Sequence, residues 1–175
     1  GARVLPGGSN IHHAPTPVLS LAASAGEIEI VQTLIERGAA LEETDENYEF
    51  GNTPLMFACW PGKIEVIQTL IRAGANVNAT DNWSVTVLMH AAKRGSLSVV
   101  EQLVKNGANV NAIVEEFEHW ERFGDEKIED PYYGKSVLVF AIEGGNPEVV
   151  EYLLRQGARV NQEEVRPEYY KSAMQ

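Results

Sequence analysis

TVLMHAAKRG at residues 86–95, followed by GANVN at residues 107–111, sets the architecture of the whole chain. Gly95 closes the first stretch and Gly107 opens the second, twelve positions later. The same interval separates Gly26 from Gly38, Gly62 from Gly74 and Gly145 from Gly157, and GA(R/N)VN itself recurs at 74–78 and 157–161. One interval used four times marks a repeat array, in which each unit covers its neighbour's apolar face and stability grows with repeat number. Four units exceed the roughly three that such arrays need.

Aligned on the first glycine of each pair, the units read PVLSLAASAG from Pro17, TPLMFACWPG from Thr53, TVLMHAAKRG from Thr86 and SVLVFAIEGG from Ser136. Each is a short helix with a start signal. Thr53, Thr86 and Ser136 carry hydroxyls that can accept a backbone N–H as N-caps, and Pro54 falls at the first helical position, where proline loses no hydrogen bond. A second helix follows, marked by apolar residues three and four apart: Ile28, Val31, Leu34 and Ile35, then Ile64, Ile67, Leu70 and Ile71. Leu97, Val100, Leu103 and Val104 repeat the stripe, as do Val150, Leu153 and Leu154 after Asn146 and Pro147. These stripes are packing faces.

The pattern resembles the ankyrin repeat, whose signature runs threonine, proline, leucine, histidine, leucine, alanine, alanine, glycine, then a second helix and a glycine–alanine–aspartate–valine–asparagine turn. The resemblance covers nearly the whole chain. It implies an all-α solenoid of stacked antiparallel helix pairs with finger loops and β-turns projecting from it, and a groove between the fingers and the first helices. The family's histidine is replaced here by Ser20, Met56, Met89 and Val139, and Pro17 replaces the first threonine, which questions the threonine–histidine hydrogen bonding but not the fold. As a single array over 1–175, the chain divides into the tail of a preceding repeat and a loop at 1–16, and repeats at 17–52, 53–85, 86–135 and 136–171. The third of these repeats carries a long finger at 112–135, and a further repeat would open at 172–175. Gly1-Ala2-Arg3-Val4 matches the turn at Gly157, and Ser172-Ala173-Met174 matches Ser136-Val137-Leu138, so we expect a segment of a longer array. Neither end shows a polar capping repeat, and exposed apolar edges would favour end-to-end self-association.

The formal charge of −11 and pI near 4.8 argue against nucleic acid, which needs clustered Lys and Arg. No apolar run approaches the roughly 18 residues of a membrane span. The lone cysteine, Cys59, excludes an intramolecular disulfide and fits a reducing, intracellular setting such as the cytoplasm. It stands at an alanine-like helix position and reads as a small buried residue. No catalytic constellation, phosphate-cradling loop or cofactor motif has the required spacing, and no Cys or His framework would hold a metal. His12 and His13 fall in a Pro/Gly-rich loop, and His90 takes a leucine-like core position where a satisfied histidine is the default. The acids Glu42, Glu43, Asp45, Glu46 and Glu49 lack the glycine and ligand order of a calcium loop.

The helices are nearly interchangeable, so specificity should lie where the units differ. Thr53 to Thr86 spans 33 residues, whereas Pro17 to Thr53 spans 36 and Thr86 to Ser136 spans 50, giving the third finger a 17-residue insertion. Insertions in repeat proteins map to one face, often the binding face. The segments 41–52, 78–85, 111–135 and 161–171 hold 17 of the 25 acids and 5 of the 14 bases, so the fingers carry −12 and the rest of the chain +1. Ten of the fourteen aromatic residues fall there too, one of them three residues before each later cap: Phe50, Trp83, Tyr133 and Tyr169.

Rings beside carboxylates suit a partner bearing Lys or Arg, since the rings offer cation–π faces and the acids steer the encounter. Stacking of one finger on the next explains such a row equally well. Within the insertion Ile113, Phe117, Trp120 and Phe123 lie at helical spacing among acids, as a short amphipathic helix would. By the resemblance, the groove side of the first helices ends at Trp60 and Pro61, Lys93 and Arg94, and Glu143. The expectation is therefore a non-catalytic protein-interaction module, a scaffold or adaptor that binds a basic peptide or protein surface. Its contact residues are Tyr48, Phe50, Trp60, Trp83, Lys93, Arg94, Phe117, Trp120, Phe123, Tyr132, Tyr133, Glu143 and Tyr169. The alternatives are a targeting or regulatory segment of a larger enzyme, and a structural spacer whose aromatic row is buried with no open groove.

Overall fold

The computed structural model describes residues 16–44, 51–60, 62–114 and 132–160. Eight helices follow one another among these residues: α1 (Val18–Ala25), α2 (Ile28–Glu36), α3 (Pro54–Cys59), α4 (Ile64–Ala73), α5 (Val87–Arg94), α6 (Leu97–Lys105), α7 (Val137–Gly144) and α8 (Pro147–Arg155). The odd-numbered helices pack in one layer, each against the next, and the even-numbered helices in a second layer behind them. The result is an all-α stack of helix pairs whose core runs continuously from Leu19 to Ala158.

The local signals act as their chemistry requires. Thr53, Thr86 and Ser136 accept the backbone N–H of Met56, Met89 and Val139, and Pro54 opens α3. All eight glycines of the twelve-residue pairs take positive φ, from 68° at Gly62 to 103° at Gly74, which explains why the interval is written in glycine. Where histidine would complete the family motif, Met89 gives a partial substitute: its Sδ lies 3.4 Å from the Thr86 N–H, so hydroxyl and thioether cap each other reciprocally. Pro17 provides no side-chain cap, and Ser20, in the histidine position of the first pair, is buried without a partner for its hydroxyl among the described residues.

The turn asparagines tie neighbouring units together. Asn78 Oδ1 accepts from Asn109 N at 2.8 Å while its Nδ2 donates to the Gly107 carbonyl at 3.1 Å. Asn111 repeats both bonds one unit on, with Arg159 N at 2.9 Å and the Gly157 carbonyl at 3.1 Å. In the first unit Glu42 holds that register and only accepts, from Asn76 N at 2.7 Å. Asn146 has a double role: its Oδ1 caps α8 through Glu148 N, and its Nδ2 donates to the Gly95 carbonyl at 2.6 Å.

Two fingers are described to their stems. In the second, Thr80 and Thr86 form an antiparallel bridge, and Asp81 N donates to the Val85 carbonyl at 3.0 Å. In the third, Ile113 bridges Ser136 and Val114 N donates to the Lys135 carbonyl at 3.0 Å. Ile113 is therefore bridge backbone, which corrects its assignment to an amphipathic helix; the reason is that its position in the stem is set by pairing with Ser136, not by the spacing to later rings. Phe117, Trp120 and Phe123 lie outside the described residues, as do Tyr48, Phe50 and Tyr169.

Candidate functional site

The stems bring finger residues down beside the ends of the first helices, and a cleft of about 440 Å³ opens between them. Finger residues Asn52, Asp81, Val85 and Tyr132 line one side of it; Trp60, His90, Lys93, Arg94 and Phe140 come from the helix layer. Of the residues singled out from sequence, Trp60, Lys93, Arg94 and Tyr132 meet here.

Aromatic rings make up much of the wall. Tyr132 stacks on Phe140, with centroids 5.8 Å apart and planes 25° apart, and meets Trp83 edge-on at 6.3 Å. Trp83 is half-buried against the core, so its ring serves packing, yet the cleft beside Tyr132 is open. Trp60, 37 % exposed at the end of α3, tilts against Phe57 at 4.9 Å. Tyr133, in the Trp83 register of the third finger, is half-buried and does not line the cleft among the described residues.

Cations lie over these rings. Lys93 Nζ is 5.4 Å from the Tyr132 centroid and 5.7 Å from that of Phe140, and the Arg94 guanidinium is 5.5 Å from Trp60. Lys135 Nζ approaches Tyr132 from the finger side at 5.7 Å. Glu143, just outside the cleft, collects two of the three charges: Lys135 Nζ lies 2.6 Å away and Lys93 Nζ 3.8 Å. The Lys135 ammonium hydrogen-bonded to it holds the Glu143 carboxyl below its ordinary value, Lys93 adds to the pull, and partial burial opposes it. No carboxylate of the described residues pairs with Arg94.

Asp81 is the acid within the cleft, and its oxygens are already occupied. Oδ1 accepts from Trp83 N and Val85 N, both at 2.9 Å, and Oδ2 accepts from His90 Nε2 at 2.8 Å. His90 is thus satisfied by the finger that precedes its own helix. Asn52 differs, being buried with no partner among the described residues for its Oδ1.

Sequence reasoning passed over Asn52, Asp81 and Phe140 as site residues. Asn52 carried a signal, since it stands before a helix cap where the other fingers have Val85 and Lys135. Phe140 looked like any core residue, and only the fold shows that one face of it meets Tyr132. Burial pushes the Cys59 thiol up to about 12, which leaves it neutral and unreactive at neutral pH. Among the described residues no three His, Cys, Asp or Glu side chains gather as metal ligands, and no helix is long and apolar enough to cross a membrane.

A stack of helix pairs with finger stems projecting from it defines a repeat protein. The family model for ankyrin repeats, in three copies, matches residues 19–114 and 81–164, and the chain belongs to that family. A search of curated proteins with the sequence returns no match. Ankyrin repeats are generally protein–protein interaction modules.

Proposed function

We propose that this chain is a non-catalytic binding module that holds a segment of a basic partner protein in the groove between its fingers and first helices. The observation that carries the reading is the open cleft at Tyr132, Trp60, Lys93 and Arg94, which persists although Tyr132 packs on Phe140 and Trp83, and into which the partly exposed Trp60 ring opens. Exposed aromatic and Arg side chains around a concavity are the residue types that anchor protein interfaces. That openness favours recognition over a purely structural spacer.

The basic character of the partner rests on charge at long range. With −11 overall and −12 on the finger segments, the protein attracts a positively charged surface over distances at which individual contacts do not matter. Local contacts in the cleft are a separate question, because its own rim is cationic.

The test is binding to a library of basic peptides across a salt series. Affinity should fall as salt rises, since exposed charges more than about 10 Å apart are largely screened at 0.1 M. Tyr132→Ala, Trp60→Ala and removal of residues 115–131 should each weaken binding. If all three bind like the parent, groove and fingers are not the binding surface.

A further inference from the structure

Buried polar groups are nearly always hydrogen-bonded, and Asn52, a residue that borders the cleft, is an exception among the described residues. The residue is 1 % exposed, its Oδ1 meets no donor among the described residues, and the residue lines the cleft. An acceptor of this kind is completed by a guest that brings a donor. The guest's charge is constrained by what surrounds it. Lys93 and Arg94 line the same cleft, and the oxygens of Asp81, the one carboxylate lining it among the described residues, are taken by Trp83 N, Val85 N and His90. A Lys or Arg guest would meet two like charges, and the one carboxylate among the described lining residues, Asp81, already gives three acceptor sites to the protein. A phosphate would set further acceptors against Asn52 Oδ1. The walls, Tyr132 and Trp60, ask for a flat apolar body. A volume of about 440 Å³ lies within the range of about 300–1,000 Å³ typical of ligand clefts and gives ample room for one aromatic side chain.

We propose that the cleft takes a tyrosine side chain of the partner followed by an acidic residue. The phenol O–H donates to Asn52 Oδ1, the ring packs between Trp60 and Tyr132, and the neighbouring carboxylate pairs with Arg94, which no carboxylate of the described residues engages. This deepens the reading of the groove as the partner-facing surface and rests on it. The acidic fingers draw a basic protein from a distance, and the cleft reads one tyrosine–acid pair within it. Discrimination against phenylalanine should be sharp, because a site built around a hydrogen bond to a hydroxyl leaves its own polar group unpaired when the hydroxyl is missing.

The experiment uses the full chain and blocked hexapeptides with Gly and Ser flanks, titrated by calorimetry and followed by NMR at the Trp60 indole. The tyrosine–aspartate peptide should bind, and about tenfold more tightly than the phenylalanine–aspartate peptide, the difference one hydrogen bond and one unpaired acceptor make. It should also exceed the tyrosine–asparagine, lysine–aspartate and phosphotyrosine–aspartate peptides. Arg94→Gln, a surface change, should abolish the preference for aspartate over asparagine while keeping that for tyrosine over phenylalanine. Asn52→Ala should do the reverse if it folds, and Arg94→Gln carries the test if it does not. No binding at millimolar peptide, equal binding of tyrosine and phenylalanine, tighter binding of the lysine or phosphotyrosine peptide, or an unchanged aspartate preference in Arg94→Gln would each overturn the assignment. Salt-sensitive binding of the basic library alongside any of these results removes the tyrosine site alone and leaves the groove as the binding surface.

Discussion

In the second finger Asp81 and Val85 pair across a three-residue tip, while in the third Val114 and Lys135 make the same backbone pair across the twenty residues between them. The correspondence extends further. Ser84 N donates to the Asp81 carbonyl at 3.1 Å, and Gly134 N donates to the Val114 carbonyl at 3.0 Å; Ser84 and Gly134 both take positive φ, 57° and 74°. What differs is how each stem is held. Asp81 is a buried carboxylate that accepts two finger N–H groups and reaches His90 on α5. Val114 has no side-chain acceptor and is buried in the core, and the residue of α7 in the His90 register is Phe140, also buried. Where the second finger has a polar lock, the third thus places buried apolar residues at the same two positions.

The largest effect should come from mixing the two arrangements. Asp81→Val orphans two backbone N–H groups and the His90 ring at once and should cost about 3 kcal/mol in urea denaturation. Adding His90→Phe should restore at least about 1 kcal/mol of that loss, because residues in contact couple rather than add. Strict additivity of the two single changes would mean that the finger does not depend on the pair.

Next in size is a comparison of the two helix ends. Arg94 on α5 and Gly144 on α7 share a register, yet a Cβ at Gly144 would fall 2.6 Å from the Lys93 carbonyl oxygen and 2.7 Å from that of Ala92. The last turn of α7 therefore lies against the backbone of α5, which a side chain would force apart. Gly144→Ala should destabilise by about 1–3 kcal/mol, as overpacking does. Arg94→Ala, at the equivalent exposed site, should change stability by at most about 1 kcal/mol. Equal effects at both sites would show that the helix ends are not closely docked.

Removing 115–131 tests the shared frame itself. Val114 would then precede Tyr132 directly, as Asp81 precedes Asn82, and every stem hydrogen bond could form. A shorter loop costs less entropy to close, so stability should hold or rise by on the order of 1 kcal/mol in thermal or urea unfolding. A marked loss would mean that those residues brace the array.

Which of these features could be read in the residues alone follows a physical divide. Helix pairs, caps and turn glycines are set by neighbours in sequence, so Thr86, Gly95 and the Leu97–Val104 stripe announce them directly. The insertion was equally plain, because the repeat period acts as a ruler and Thr86 to Ser136 overruns it. Trp60, Lys93 and Arg94 could be placed on the groove by register. Other properties depend on what lies across space. The pairing of Asp81 with His90 and the orphaned oxygen of Asn52 arise only when a finger folds down on the helix layer, and no periodicity encodes them. The replacement of Asp81 and His90 by Val114 and Phe140 became readable only once the stem bonds showed that Val114 holds the Asp81 position of its finger.

The smallest expected effect concerns the cations over the third finger. Lys135 has no counterpart in the second finger, where Val85 stands, and Glu143 compensates for it at 2.6 Å. Because the Lys135 ammonium holds the folded carboxyl of Glu143 below its ordinary value, its contribution is complete above that ordinary value and disappears as pH falls through the lowered folded one. Both side chains are about one-third exposed, so solvent screening keeps the contribution under about 1 kcal/mol. Glu143→Gln should accordingly lower stability slightly at pH 7 and leave it equal to the parent's at pH 2–3, measured by urea denaturation at each pH. A difference that persists undiminished in acid would mean that Glu143 acts through packing rather than charge. Loss of the ion pair would also free Lys93 and Lys135 to bear on the cleft, so the same variant should tighten the tyrosine–aspartate peptide modestly while weakening its preference for basic peptides, separating local from long-range electrostatics on one surface.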